Sequence, residues 1–164
     1  MQTVYVETSI VSFLRENPAA SPDSVERQVL TRKWWNLQRR CYELVTSQYV
    51  LDEANMGNAA LAAAERLSHL ADIPLLPLSE RIDELAAEIV TRAILPADAI
   101  VDALHIACAA VNRVDYLLTW NCTHIANPMI LPRVFRALDD FELPFPVICT
   151  PKDMLDAYDD ETAN

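Results

Sequence analysis

Four residues far apart in the sequence, Glu7, Glu53, Asp102 and Asn121, carry oxygen groups from which a chemical site can be built. Three carboxylates and an amide carbonyl, with no Cys or His cluster beside them, suit a hard divalent cation such as Mg2+ or Mn2+. Such an ion holds a water, lowers its pKa and stabilises charge on a phosphoryl oxygen. Glu7 is followed by two hydroxyls, Thr8 and Ser9, and Asn121 stands in the oxygen-rich run Thr119 to Thr123. Asp98, Asp102 and His105 fall four and three residues apart, so they share one stripe of a helix. An interior carboxylate is costly unless it is paired or binds a cation, and Asp102 therefore asks for a partner. Plainer readings exist for each. Glu7 and Asp98 suit a helix N-terminus through the dipole, a lone Glu53 on a helix is ordinary surface, and His105 reads as a hydrogen-bonded structural residue. His124 falls in a loop near the same oxygens.

The elements that must position these groups follow from periodicity and caps. Thr3–Val6 is a short β-branched and aromatic run, hence a buried strand, ending at Glu7. Thr8 or Ser9 is placed to cap a short helix from Ile10 to Leu14. Ser21-Pro22-Asp23 starts a helix to about Arg40, with Leu30, Trp34, Leu37 and Cys41 on its inward stripe. Arg32, Trp35 and Arg39 share a second face, and Arg27, Lys33 and Arg40 lie close by. Cations interleaved with an indole suit a phosphate backbone and a stacked base. A solvated face with Trp35 partly packed fits the same pattern.

Leu44–Thr46 reads as a second strand, with Ser47 capping a helix from Gln48 to Asn55 that carries Glu53. Asn58 is placed to cap an Ala-rich helix, Ala59 to Leu70. Pro74 and Pro77 demote Ile73–Leu78 to an edge strand or connector, and Ser79 caps a helix from Glu80 to about Ala93. Pro96 opens the helix that runs to Val111, with Ile100, Leu104, Ala107, Cys108 and Val111 facing a core. Tyr116–Thr119 is a third strand, Pro128–Leu138 a helix and Pro146–Cys149 a last strand. Pro151–Leu155 makes a turn of helix, and the acidic residues 156 to 164 form a frayed, flexible tail.

Strands alternating with helices imply an α/β fold, a three-layer sandwich whose central, mostly parallel sheet is flanked by helices. Ligands in such sheets bind beyond the carboxyl ends of the strands, where Glu7 and Thr119 fall.

The 164 residues suit one domain, residues 1 to 155, with a substantial core; 52% are hydrophobic and there is a single glycine. Gly-rich phosphate loops and disorder are both poorly supported. The net charge of -11 repels nucleic acid in bulk, so contact with it requires a basic patch or a bound metal. Cys41, Cys108, Cys122 and Cys149 show no C-x-x-C spacing and read as reduced, packed thiols. Neither a signal segment nor an apolar run long enough for a bilayer is evident, and a soluble cytoplasmic domain without membrane contact is expected.

In order along the chain, Tyr5-Val-Glu-Thr-Ser9, Asp52-Glu-Ala54, Asp102-Ala-Leu-His-Ile-Ala107 and Leu117-Leu-Thr-Trp-Asn121 resemble the motifs of the PIN domain, over roughly residues 3 to 155. The resemblance implies a metal-dependent ribonuclease of the VapC type: the Mg2+- or Mn2+-dependent toxin of a type II toxin–antitoxin pair, with RNA as substrate, a protein antitoxin and a homodimeric state. It implies that Glu7, Glu53, Asp102 and Asn121 are catalytic, that Glu7 and Asp102 hold the metal, and that Thr8, Asp98 and Thr119 support them. Arg32, Trp35 and Arg39 are then the RNA-contacting face. The chain departs from the family pattern twice: Glu7 stands where most members have Asp, and Asn121 where many carry a fourth acid. A catalytically degenerate module of the same fold, holding RNA or a protein without cutting, is the alternative. A phosphorelay receiver would also gather acids and a Thr at strand ends, with Lys152 as its lysine. It would require an acidic pair after the first strand, which is missing.

Overall fold

The structure, a computed structural model, describes residues 1–57, 59–92 and 94–162. Asn58 and Ala93, the expected cap and end of two helices, lie outside the described residues, as do 163 and 164. Among the described residues four strands, β1 (Thr3–Val6), β2 (Glu43–Val45), β3 (Tyr116–Leu118) and β4 (Val147–Cys149), form one all-parallel sheet in the order β2-β1-β3-β4. Tyr5 is in register with Val45 on one side and Leu117 on the other, so β1 is central and its side chains are fully buried from Val4 to Val6. Runs this short and apolar are what a sheet covered on both faces requires.

The helices are α1 (Thr8–Leu14), α2 (Pro22–Leu37), α3 (Gln48–Ala54), α4 (Ala60–Leu70), α5 (Glu80–Thr91), α6 (Ile100–Val111), α7 (Leu131–Asp140) and α8 (Pro151–Thr162). Right-handed crossovers put the α1–α2 connection on one face, and the connections that lead to β3 and β4 on the other. Packing agrees: α2 contacts α1 and α8, whereas α6 contacts α5, and α5 contacts α7. The expected three-layer α/β sandwich is what the chain forms. Chain order reverses between β1 and β3, and a crevice opens there beyond their carboxyl ends. Thr46 pairs with Leu75 through an isolated parallel bridge, so Ile73–Leu78 is a connector at the β2 edge, as its prolines imply. No helix among the described residues is long and apolar enough to cross a membrane.

Several local expectations are corrected. Helix α2 stops at Leu37 and yields to a 3-10 turn, Arg39–Cys41, so the stripe expected through Leu37 and Cys41 breaks, and Leu37 is 65% exposed. Trp34 faces inward as expected, and Gln28, Thr31 and Trp35 join it. The polar pair is tolerated because it is bonded: Gln28 Oε1 accepts from Asn17 N, and Thr31 Oγ1 donates to Arg27 O at 2.6 Å and accepts from Trp120 Nε1 at 2.7 Å. Ile100 is exposed rather than core-facing, because a 3-10 turn over Ala97–Ala99 leads into α6 and burial begins at Ala103. Ser79 precedes α5 without a side-chain cap bond.

The acidic C-terminal segment is helical to Thr162, not a frayed tail from residue 156. Thr150 and Asp153 form a reciprocal capping box: Thr150 N donates to Asp153 Oδ2 at 2.8 Å, and Asp153 N donates to Thr150 Oγ1 at 3.2 Å. Pro151 then occupies the first turn, where its missing N–H has no intrahelical partner.

The four cysteines are free, with Cys108 and Cys149 buried and Cys41 and Cys122 exposed. Burial pushes the Cys108 thiol up to about 11 and, helped by Asp153, the Cys149 thiol up to about 12. Since the thiolate is the nucleophile, an aromatic disulfide reagent at pH 8 should label Cys41 and Cys122 rapidly in the native protein. Cys108 and Cys149 should react only in denaturant; rapid native labelling of either would contradict this packing.

Candidate metal centre at the sheet crevice

Glu7 leaves β1 with its N–H still donating to Leu118 O at 3.2 Å, so its backbone is tied to β3. It is extended, and it rather than Thr8 or Ser9 caps α1, accepting from Ser9 N at 3.1 Å through Oε2. The same oxygen accepts from Ser9 Oγ and from Thr119 Oγ1, the latter at 2.7 Å. Those hydroxyls are fixed in turn: Ser9 Oγ accepts from Trp120 N, and Thr119 Oγ1 from Asn121 N. Glu7 is thus held, nearly fully buried, with one oxygen engaged and Oε1 left without a protein donor among the described residues.

Tyr5 and Glu7 are two apart on extended chain and point to the same face, that of α6. The Tyr5 hydroxyl meets His105 Nδ1 at 2.8 Å and Ser47 Oγ at 2.7 Å. Ser47 caps α3, accepting from Val50 N, and α3 carries Glu53. Glu53 Oε1 then accepts from Thr8 Oγ1 at 2.7 Å and meets His105 Nε2 at 2.5 Å. Ligand atoms of Glu7, Glu53 and His105 all lie within 4.8 Å of one another.

Burial works to pull the pKa of the fully enclosed His105 down. The bond to Glu53 and the charges of Glu7, Glu53 and Asp102 outweigh it, so the imidazole is held above its ordinary value. For Glu53, burial pushes upward, but the His105 bond, the His105 charge and the Thr8 hydroxyl together leave its carboxyl below the usual range. Burial also keeps the Tyr5 phenol well above its ordinary value. A charged His105 donates from both nitrogens, to Tyr5 and to Glu53, which leaves the Tyr5 hydroxyl to donate to Ser47 Oγ.

Asp102 acts on His105 through space, but its Oδ2 is engaged by His124 Nδ1 at 3.0 Å. Asn121 does not turn its amide to the acids: its Oδ1 accepts from His124 N at 2.9 Å and shapes the turn after β3. Thr8 and Thr119 hold Glu53 and Glu7 as support residues. Asp98 is exposed in the 3-10 turn and makes no hydrogen bond among the described residues. The expected RNA face is altered too. Trp35 is buried at 7% exposure, with the Arg39 guanidinium 4.8 Å from its ring centre, so it has no free face for a base, and Arg32 is half-buried.

His105 is hydrogen-bonded, as expected, yet it belongs to the acid cluster, a membership its sequence position did not reveal. Tyr5, Ser9 and Ser47 were also missed. The two-residue spacing of Tyr5 and Glu7 on a strand was the available signal. Glu7 Oε1, Glu53 Oε2 and Asp102 Oδ1 each lack a protein donor among the described residues. Carboxylate oxygens of this kind suit a hard cation, and the third potential ligand atom within 4.8 Å of Glu7 and Glu53 is a His105 ring nitrogen. No protein-family model matches the chain, and neither curated proteins nor solved structures offer a match.

The pair fixes a pH window. His105, raised on folding, contributes fully below about 6.5 and loses that contribution as pH rises through its folded value. Glu53, depressed on folding, contributes fully above about 4.3 and loses it as pH falls through its folded value. In EDTA at pH 6, His105→Gln should therefore cost on the order of 2 kcal/mol in urea unfolding. The gap to the parent should narrow toward pH 9; a gap of constant size from pH 6 to pH 9 would refute the charged pair.

Proposed function

We propose that this protein is a metal-dependent endoribonuclease of the PIN type, acting on RNA phosphodiester bonds as the toxin of a toxin–antitoxin pair. The observation behind the reading is the convergence of Glu7, Glu53 and His105 within 4.8 Å at the crevice, with the Asp102 charge bearing on the same imidazole. Glu7 Oε1 and Asp102 Oδ1 are the atoms that would hold Mg2+ or Mn2+. When bound, the ion supplies Lewis acidity, lowering the pKa of a water and offsetting phosphoryl charge.

The chain's own groups do the rest. The Glu53 carboxyl is held below the usual range, and its Oε2 has no protein donor among the described residues, so it accepts a hydrogen bond from an attacking water and orients it. His105 fixes Glu53 from behind, while Thr8 sets its rotamer. Ser9 and Thr119 lock Glu7. His124 Nδ1 donates to Asp102 Oδ2 and fixes that carboxylate's direction. Antitoxin binding and homodimer formation belong to this reading through the resemblance to PIN toxins; the exposed Leu61 on α4 is compatible with a second copy docking there.

Asn121 favours a second reading, a binding module that does not cut. It brings no charge, and its carbonyl is engaged by His124 N. The two readings separate in one experiment. A labelled structured RNA is incubated with the protein in Mn2+, in Mg2+ and in EDTA. Cleavage in the metals and none in EDTA is expected, with Asp102→Asn and Glu53→Gln slower by about 10²- to 10⁴-fold. In parallel, Mn2+ should raise the parent's thermal midpoint by mass action, and raise that of Asp102→Asn less. Retarded but intact RNA would support the binding module, and an Asp102→Asn variant as fast as the parent would overturn the site assignment.

A further inference from the structure

One cavity lies away from the acids, at the β2 edge, where the end of α2, the 3-10 turn Arg39–Cys41 and the end of α4 meet. It measures about 390 Å³, while four others measure about 190 to 250 Å³. Small-molecule sites begin near about 300 Å³, so size alone separates it from those four. Trp35, Arg39, Arg40, His69 and Asp72 line it.

Trp35 organises this wall. The Arg39 guanidinium lies over its ring, and the His69 ring meets it edge-on with centroids 5.8 Å apart. Burial and the nearby Arg39 push His69 below its ordinary pKa, keeping it neutral at pH 7. Neither Arg39 nor Arg40 forms an ion pair or a side-chain hydrogen bond with another described residue. The two guanidiniums are adjacent in sequence and line one cavity, and Arg39 is held in place by the Trp35 ring. Asp72 lines the same cavity and is likewise unpaired.

The cavity thus offers open donors on one side and an open acceptor on another. An inorganic anion would satisfy only the arginines, and a simple cation only Asp72. A phosphate on a sugar and base satisfies both. Guanidiniums bind phosphate in bidentate fashion, ribose hydroxyls or base N–H groups donate to a carboxylate, and a base stacks on a guanidinium plane.

We propose that the β2-edge cavity binds a nucleoside monophosphate unit, free or within single-stranded RNA, with Arg39 and Arg40 on its phosphate and Asp72 accepting from its ribose or base. The site is separate from the acid cluster and does not require that the protein cut RNA.

Calorimetric titration of the full chain in EDTA tests it, with 5'-AMP, adenosine and inorganic phosphate as probes. AMP should bind at least about tenfold more tightly than either fragment. Arg39→Gln/Arg40→Gln should weaken AMP at least about tenfold, with the fold verified by circular dichroism. Asp72→Asn should weaken AMP while leaving phosphate unchanged, and Asp102→Asn should bind AMP like the parent. A labelled oligoadenylate, followed by anisotropy in EDTA, distinguishes the sources. Tighter binding than AMP, displaced by AMP, identifies a nucleotide within a strand; AMP binding without oligomer binding identifies the free nucleotide. Phosphate as tight as AMP, an unaffected double arginine variant, AMP binding lost in Asp102→Asn, or no binding of AMP and oligomer alike would overturn the proposal. Because no cleavage is read, an inactive crevice leaves this result intact, and the two failures are distinguishable.

Discussion

His105 is fully buried, and its two ring nitrogens meet Tyr5 on β1 and Glu53 on α3 while its own backbone belongs to α6. One imidazole therefore joins the central strand and two helices at a single point. An uncharged ring would leave Glu53, Glu7 and Asp102 to repel one another across a low-dielectric crevice. A charged ring converts part of that repulsion into attraction and dictates the direction of every bond around it. The crevice depends on this link because each neighbouring group is oriented against it: Thr8 against Glu53, Ser47 against Tyr5, and Glu7 through a separate clamp of Ser9 and Thr119.

Most of the fold was legible because it rests on strong local signals. Short β-branched runs, the Ser47 and Pro96 boundaries and the Pro74/Pro77 edge all translate directly into strands, caps and connectors. The errors share a cause. Leu37 and Cys41 were placed inside by extending a 3.6-residue period beyond Leu37, where α2 ends and a 3-10 turn follows. Gln28 and Thr31 were not placed inside because polarity is a poor guide once distant partners, Asn17 and Trp120, satisfy the groups. The helix from Pro151 was underestimated although its Thr-Pro-x-Asp signature was present. Acidic composition suggested fraying, yet a capping box and packing on α2 outweigh it.

Of the acids expected to converge, Glu7 and Glu53 lie together, and the third member of their cluster is His105. Glu7 and Glu53 converge because a β1 end and the helix after β2 must meet at the crevice of any sheet ordered this way. Thr8 and Thr119 follow from adjacency to those ends. What spacing could not reveal is which oxygen faces which donor. Asp102 shares a stripe with His105, as three-residue spacing requires, yet its carboxylate turns to His124, a residue 22 positions on in a loop. Asn121 lies in the right segment and points its amide into its own turn. Loop hydrogen bonds of that kind are set by backbone geometry and leave no periodic trace.

Two opposite electrostatic arrangements result from one charge balance. At the crevice, acids are brought together and restrained by hydroxyls, so excess negative charge persists where a cation can relieve it. At the β2 edge, Arg39 and Arg40 share a cavity with Asp72 without an ion pair to a described residue, and Trp35 supplies an aromatic support for Arg39. For a chain of net charge -11, bulk attraction to a polyanion is absent. Any phosphate-bearing ligand must therefore be recognised where local positive charge is concentrated, either on an ion held by the acids or on guanidiniums left unpaired. The fold keeps the two groups apart, and arginines placed beside Glu7 or Glu53 would pair with those carboxylates.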